Sequence, residues 1–158
     1  MSETIEFGLN KAFTAEIAEH LLRCDFDFVP PLSDRVAICD YAKKIASKAT
    51  RFEAWSGDKL VGLVAAYCND QEKCIAYITS VSVLREWTGN GIAARLLKQC
   101  IEYAAASGMR QISLEVASDN MPAIGLYEKS GFAMAKTHVP FVTMNLNLKS
   151  WEEHEQKT

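Results

Sequence analysis

The sequence predicts a mixed α/β fold in which about four helices flank a central, mostly antiparallel sheet of six to seven strands. Several short segments alternate apolar and polar residues, and several longer ones repeat apolar residues every three to four positions. The period changes from two to 3.6 near Gly91 and back again at residue 111. A strand, a helix and a strand in succession imply a right-handed crossover, so residues 75–84 and 111–117 are predicted to be parallel. The two strands need not stay paired along their whole length.

Seven segments are predicted to be strands because they alternate or are rich in β-formers. They cover residues 4–9, 51–56, 60–68, 75–84, 111–117, 132–136 and 139–148. Turns at residues 57–58 and 69–73 join the second, third and fourth of them into an antiparallel meander. Residues 75–84 place apolar groups on both faces, which predicts a central strand that is covered on both sides.

Four helices are predicted from apolar residues at helical spacing. They cover residues 12–23, a segment that ends near residue 48, a segment from residue 91 to Gly108, and a short helix after Asn120. Ser33 or Asp34 is the predicted cap of the second helix, and Asn120 is that of the fourth. Gly108 and Gly131 are predicted to end the third and fourth helices, because glycine tolerates the left-handed conformation.

Length and composition limit the class of protein. The chain has 158 residues, of which 49% are hydrophobic and 23% charged, which excludes disorder. We predict a single domain over residues 1–149 and a polar C-terminal tail over residues 150–158. The longest apolar run, residues 60–68, is too short to cross a bilayer. The N-terminus lacks the pattern of a secretory signal, so we expect a cytoplasmic protein without a membrane partner.

Charge and cysteine content exclude two further classes. The formal net charge is −3, and a nucleic-acid partner would require clustered Lys and Arg, so none is expected. The five cysteines are odd in number and lack zinc or redox spacing. We therefore expect free thiols, including Cys68 and Cys74 on either side of a predicted turn. The three histidines show no ligand spacing, and no metal is expected.

The most informative segment is the turn VLREWTGNGIAA over residues 83–94, which leads from a strand directly into a helix. The first amides of a helix have no intrahelical partner, and the helix dipole adds partial positive charge there. Gly89 and Gly91 allow the backbone to approach an anion closely. This pattern predicts a pyrophosphate site that needs no lysine. The alternative is an ordinary turn before a helix.

Two nucleotide-binding motifs compete for this segment. A P-loop requires Gly-Lys followed by Ser or Thr, and the chain has Gly91-Ile92-Ala93, which excludes it. The dinucleotide fingerprint is matched formally, with Gly89, Gly91 and Ala94 in place and Glu115 near the position of a ribose-binding acid. A doubly wound fold would need more strand–helix units than follow Glu115. A nucleotide-binding oxidoreductase remains the alternative from another class of protein.

A second segment, residues 120–132, reads NMPAIGLYEKSGF. Together with the glycine turn, it resembles the GNAT superfamily of N-acetyltransferases, and the match runs from about residue 75 to residue 132. Residues 114–116 (LEV) and 126–127 (LY) resemble most the ribosomal-protein N-terminal acetyltransferases of that superfamily. Thr88 stands where the family has Arg or Gln, which implies weaker or differently balanced cofactor binding.

The resemblance implies acetyl-CoA as the co-substrate and direct attack of an amine on its thioester in a ternary complex. The implied contacts with the cofactor come from Val81, Ser82, Val83, Thr88, Gly89, Asn90, Gly91, Ile92, Ala93 and Asn120. A backbone N–H of the strand segment 81–83 would also polarise the thioester carbonyl. The acceptor is the amine of a small molecule or of a peptide N-terminus, with an amino sugar or another metabolite as a variant. A noncatalytic acyl-CoA sensor and a homodimer are left open.

Two residues are candidates for proton transfer. Tyr127 is the candidate general acid for the departing thiolate, and the alternative is a buried aromatic packed beside Ile124. Glu115 is the candidate base or water relay, because Ile112, Leu114 and Val116 point to the other face of their strand. The alternative for Glu115 is a solvated carboxylate on an open sheet face.

The remaining candidates concern the acceptor. The segment between the first two helices could form a pocket for a cationic amine, with a plain connecting loop as the alternative; its residues are Asp25, Phe26, Asp27, Phe28, Pro30 and Pro31. Arg35 and Arg51 could recognise a carboxylate or a phosphate of the acceptor, and the alternative is that both are solvated surface arginines.

Overall fold

The computed structural model describes residues 4–148, in which seven strands form one sheet in the order β1-β2-β3-β4-β5-β7-β6. The strands are β1 (Glu6–Leu9), β2 (Thr50–Ser56), β3 (Lys59–Tyr67), β4 (Ile75–Val83), β5 (Gln111–Ala117), β6 (Ala133–His138) and β7 (Phe141–Asn147). The helices are α1 (Thr14–Cys24), α2 (Ile38–Lys48), α3 (Ile92–Ala106) and α4 (Met121–Lys129). No helix within residues 4–148 has both the length and the apolar character that a bilayer crossing requires.

The pairing of the strands confirms the predicted fold class. β4 and β5 are parallel, whereas β1–β2, β5–β7 and β6–β7 are antiparallel. A doubly wound dinucleotide fold would require a largely parallel sheet, so this topology argues against the oxidoreductase alternative. The predicted closing hairpin is present as β6 and β7. The predicted tail, residues 150–158, lies outside the described residues.

Two compact units divide the described residues. The first comprises residues 4–65 and 80–97, and the second comprises residues 66–79 and 98–148. Fully buried apolar side chains form the core of the first unit, among them Ile17, Leu21, Ile45, Leu63, Leu96 and Leu97. In the second unit the corresponding side chains include Cys100, Ile112, Ile124, Met144 and Leu148.

The predicted start of the second helix is wrong. Residues 32–34 form a separate 3-10 turn, in which the amide of Ser33 donates to Asp25 Oδ1 at 2.7 Å. α2 begins only at Ile38, and its N-cap, Ala37, provides no side-chain hydrogen bond. The carboxylate of Asp25 therefore binds a backbone amide that would be free at the start of a helix capped by Ser33 or Asp34. The capping pattern at residues 33–34 does not reveal this contact.

The predicted coverage of β4 is also only half correct. Its even-numbered residues are buried, from Ala76 to Ser82, whereas Val81 and Val83 on the other face are half-buried and Tyr77 is 40% exposed. An apolar pattern on both faces does not distinguish a face covered by protein from one left open to a ligand. The open face of β4 includes the strand segment assigned to the cofactor.

A buried carboxylate ties the start of α1 to β2 within the first unit. Glu53 has no exposed surface, and its two carboxylate oxygens accept the amides of Lys11 and Ala12, each at 3.0 Å. Trp55 Nε1 donates to the same side chain at 3.2 Å, and Arg51 lies 3.5 Å away. These partners take the place of water around the buried carboxylate, and this compensates the cost of burying its charge.

Replacing Glu53 with alanine is expected to lower the free energy of unfolding by about 3–5 kcal/mol, because the Arg51 charge and two backbone amides lose their partner inside the protein. Urea denaturation at pH 7 measures this. Glu19→Ala is the matched control, since Glu19 is 66% exposed in its ion pair with Arg23 and should contribute little. Equal losses in the two variants would contradict the structural role of Glu53.

Candidate active site

The turn between β4 and α3 leaves a row of amides without partners. A 3-10 turn at Arg85–Trp87 leads into Gly89 and Gly91, whose φ angles are +85° and +74°. Within the described residues, the amides of residues 89–94 donate no hydrogen bond, and the first helical bond runs from Arg95 to the carbonyl of Gly91. The N-terminus of a fifteen-residue helix adds its dipole to these amides. This geometry suits an anion such as a pyrophosphate.

Two side chains of the turn bind the turn itself rather than pointing outward. Thr88 Oγ1 donates to the carbonyl of Arg85 at 2.8 Å, and Asn90 Nδ2 donates to the carbonyl of Trp87 at 3.0 Å. Carbonyl oxygens that would repel an anion are therefore occupied. The backbone amide of Thr88 also donates to the carbonyl of Arg85, at 3.2 Å, so Thr88 stabilises the turn and keeps no donor for a ligand. Asn90 stabilises the turn with its side chain and offers a ligand its backbone amide.

Gly62 positions the start of α3 within the first unit. A Cβ atom built at this β3 residue would lie 2.8 Å from Ile92 Cγ2 and 3.3 Å from Leu96 Cδ1. A side chain there would push the first turn of the helix away from the strand. Gly62 was not predicted to matter for the site, because the contact depends on tertiary packing that local pattern does not reveal.

A buried histidine holds the strand segment Val81–Val83 through a hydrogen bond with Ser82. Ser82 Oγ lies 2.8 Å from His20 Nε2, and His20 Nδ1 lies 3.0 Å from the carbonyl of Leu60. Nδ1 therefore donates to the carbonyl and Nε2 accepts the Ser82 hydroxyl, because a carbonyl can only accept. Burial lowers the pKa of His20 to about 4, so the ring is neutral at physiological pH. The side chain of Ser82 points into the core, which leaves only its backbone for a cofactor.

The buried His20 predicts a loss of stability in acid. In the folded protein the pKa of His20, about 4, lies below the ordinary value of 6.5. The contribution of the neutral His20 to stability is therefore fully present above pH 6.5 and is lost as the pH falls from 6.5 to 4. The loss should approach about 3 kcal/mol, since each pKa unit corresponds to 1.36 kcal/mol. Urea denaturation at pH 7 and pH 4.5 should show a smaller drop for His20→Gln than for the wild type. The exposed His138→Gln should retain the full drop; equal drops in all three proteins would contradict the assignment.

The candidate acid lies on α4 in the second unit. Asn120 caps this helix, as predicted, by accepting the amide of Ala123 at 3.4 Å, and Pro122 lies in its first turn. Tyr127 is 8% exposed and meets Phe132 edge to face, with ring centroids 6.1 Å apart. Burial raises the pKa of Tyr127 to about 12, which keeps its proton in place at any physiological pH.

The candidate base lies on β5 in the same unit and has a histidine beside it. Glu115 is directly opposite Thr143 of β7, and Glu115 Oε2 lies 3.5 Å from Nε2 of His138 on β6. Glu115 is itself exposed on its strand, so the arrangement fits a solvated carboxylate on the sheet face as well as a base. No sequence signal linked His138 to Glu115, because the approach depends on the register of β6 and β7.

Three of the predicted acceptor residues, Asp25, Asp27 and Arg51, have structural partners. Asp25 accepts the amide of Ser33, Asp27 pairs with Arg85, and Phe26 is 84% exposed. Arg51 is buried and donates to the carbonyls of Ala46, Ala49 and Ala12. Arg51 is thus neither a solvated arginine nor open to a ligand, because it satisfies carbonyls at the end of α2.

The fold and the glycine turn define an α/β protein with a ready anion site at a helix N-terminus. Sequence comparison places this chain more narrowly: the profile of the acetyltransferase (GNAT) family matches residues 14–132. The match covers well over half of the chain, which belongs to this family. The resemblance inferred from the glycine turn and the α4 segment is confirmed.

Individual relatives are more distant. The chain is 31% identical over 87 residues to mycothiol acetyltransferase of Corynebacterium glutamicum (strain R), covering 55% of this chain and 29% of that protein. It is 28% identical over 101 residues to L-2,4-diaminobutyric acid acetyltransferase of Vibrio parahaemolyticus, covering 63% of this chain and 55% of that protein. The chain thus spans between 29% and 55% of these relatives' lengths.

Solved structures show the same fold. The ribosomal-protein-S18-alanine N-acetyltransferase from Escherichia coli superposes with a TM-score of 0.72 at 18% identity, covering 92% of this chain and 94% of the other. At this identity the likeness concerns the fold alone.

Proposed function

We propose that this protein transfers an acetyl group from acetyl-CoA to a primary amine by direct attack in a ternary complex. Membership of the GNAT family supports acetyl-CoA as the donor. The observation that carries the proposal is the row of unpartnered amides over residues 89–94 at the start of α3. These amides would bind the pyrophosphate at Gly89, Asn90, Gly91, Ile92 and Ala93 without any lysine.

The edge of β4 beyond its pairing with β5 supports a place for the pantetheine arm. The parallel ladder of β4 with β5 ends at Ile78, whereas β4 continues to Val83. The backbone of residues 81–83 would pair with the pantetheine amides, and one N–H there would polarise the thioester carbonyl. Such a donor contributes about 10² to 10³ in rate. Asn120 would contact the pantetheine through its side-chain Nδ2, because the helix cap uses its Oδ1.

Tyr127 would protonate the departing thiolate. A thiol has a pKa of about 8.5, so the thiolate is a tolerable leaving group and an acid assists rather than enables its departure. The hydroxyl of Tyr127 makes no hydrogen bond within residues 4–148, which leaves its proton available. Burial, which raises the pKa of Tyr127 to about 12, supports this role because the phenol remains the acid throughout.

Glu115 would remove a proton from the acceptor. A primary amine has a pKa of about 10.4, so its neutral form is less than about one part in 10³ at pH 7. Its deprotonation accounts for about 4–5 kcal/mol of the barrier. The acceptor would be the amine of a small molecule or of a peptide N-terminus, since the relatives include acetyltransferases named for mycothiol and diaminobutyric acid and an N-alpha-acetyltransferase.

One experiment tests the proposal against its two alternatives, a noncatalytic acyl-CoA sensor and a dinucleotide-binding protein. The protein is incubated with acetyl-CoA and a panel of primary amines, and free thiol and acetylated product are measured. Calorimetry with acetyl-CoA and with NAD accompanies it. The proposal expects tight binding of acetyl-CoA only and thiol release with at least one amine. Binding without thiol release would identify a sensor, and binding of NAD instead would identify a dinucleotide-binding protein.

A further inference from the structure

A polar cluster of Glu115, His138 and Thr143 joins three neighbouring strands of the second unit. Thr143 lies opposite Glu115 in the β5–β7 ladder, and His138 lies opposite Phe141 in the β6–β7 ladder, so the three side chains share one face. His138 Nε2 lies 3.1 Å from Thr143 Oγ1 and 3.5 Å from Glu115 Oε2. His138 and Glu115 are 42% and 33% exposed, so both can meet a ligand or water.

The same face also carries a buried hydrogen-bond acceptor. Asn145, two residues beyond Thr143, has a buried Oδ1 atom with no hydrogen bond within the described part of the chain. A buried acceptor without a donor costs stability, and an N–H of a bound ligand would remove that cost. Among the paired strand residues of this unit, the register places two further ionisable side chains on the face, Lys136 opposite Thr143 and Tyr77 opposite Ser113.

The pKa of a carboxylic acid lies far below that of an ammonium group, so a carboxylate alone is a weak base for the ammonium proton. Free carboxylic acids have a pKa of about 4.3, imidazole about 6.5 and primary ammonium about 10.4, so a proton rests roughly a hundredfold more favourably on imidazole than on a carboxylate. We propose that His138 takes over from Glu115 the proton that the acceptor ammonium loses. This inference rests on the proposed acetyl transfer and adds a residue to it.

The steps balance without any further reagent. The ammonium gives one proton to Glu115, which passes it to Nε2 of neutral His138, directly or through one water, and the imidazolium releases it to solvent. The neutral nitrogen then attacks the thioester carbon; the C–N bond forms and the C–S bond breaks. The second proton of the nitrogen leaves with the thiolate, through Tyr127, as the thiol. One proton is released for each acetyl group transferred.

The relay requires the neutral His138 ring to carry its proton on Nδ1. Nε2 then accepts the hydroxyl proton of Thr143 at rest, and this hydrogen bond holds the ring beside Glu115. Thr143 thus acts as a positioning residue for His138.

The pH dependence of kcat/KM for the acceptor tests the relay between pH 6 and pH 10, with saturating acetyl-CoA. The wild type should reach a plateau near neutrality. His138→Gln should keep rising with the neutral fraction of the amine, be about tenfold slower or more at pH 7.5, and converge with the wild type near pH 10. Lys136→Gln, which removes a charge from the same strand, should keep the wild-type plateau. A loss that is equal at every pH, or a wild type that rises up to pH 10, would overturn the relay.

Nitrogen-15 NMR of the free protein separates failure of the relay from failure of acetyl transfer. The His138 signals, identified by their absence in His138→Gln, should show the proton on Nδ1 at pH 8. A proton on Nε2 would overturn the relay even in an active enzyme. A proton on Nδ1 without thiol release from acetyl-CoA for any amine would overturn the proposed function, and the relay with it.

Discussion

Replacing Gly91 with alanine is expected to weaken acetyl-CoA binding by about tenfold to a hundredfold, or about 1.4–2.8 kcal/mol. Gly91 has a φ of +74°, a left-handed conformation that costs an L-residue about 1–2 kcal/mol. The added Cβ meets no protein atom within 4 Å and would therefore project into open space at the proposed pyrophosphate site. Calorimetry with acetyl-CoA measures the loss.

Gly108 provides the matched control for this substitution. It follows α3 with a φ of +84°, and its Cβ would likewise meet no atom within 4 Å. Gly108→Ala should lose a similar free energy of unfolding and keep its affinity for acetyl-CoA. If both variants bind equally well, or both lose affinity equally, the glycine turn is not the pyrophosphate site.

Replacing Tyr127 with phenylalanine is expected to lower kcat by about tenfold to a hundredfold, at or below the low end of what general acids usually contribute. The ring should keep its packing against Phe132, and the lost hydroxyl makes no hydrogen bond within residues 4–148, so stability and acetyl-CoA affinity should stay close to the wild type. Initial rates of thiol release measure kcat, and calorimetry measures affinity.

The wild-type pH profile gives a second view of the same residue. Burial raises the pKa of Tyr127 to about 12, so loss of its proton should produce no decline in kcat below about pH 11. Tyr103→Phe, which removes a phenol from α3, should leave kcat unchanged. An unchanged kcat in Tyr127→Phe would limit Tyr127 to packing beside Ile124.

Elements whose signals are local were predicted well. β5 has the predicted bounds, Gln111–Ala117, because alternation and a preceding helix stop both lie within a few residues. Asn120 and Gly131 delimit α4 as predicted, since capping and the left-handed conformation at +105° are properties of single residues. The parallel pairing of β4 with β5 followed from the handedness of one crossover.

Features that depend on distant partners were missed. The start of α2 was wrong because Asp25 captured the amide of Ser33. Arg51 was expected at the surface, and its burial follows from carbonyls of α2 and the chain before α1. The contact of Glu115 with His138 depends on a strand register that includes an irregularity between Met134 and Lys136. Alternation assigns a residue to a face but does not identify its neighbours across the sheet.

Amide NMR of the glycine turn tests the central claim most directly. The protein is titrated with acetyl-CoA and, separately, with S-acetylpantetheine, which lacks the pyrophosphate. The proposed site predicts that the amide signals of Gly89, Asn90, Gly91, Ile92 and Ala93 shift strongly with acetyl-CoA and little with S-acetylpantetheine. Binding of acetyl-CoA that leaves these amide signals in place would contradict it.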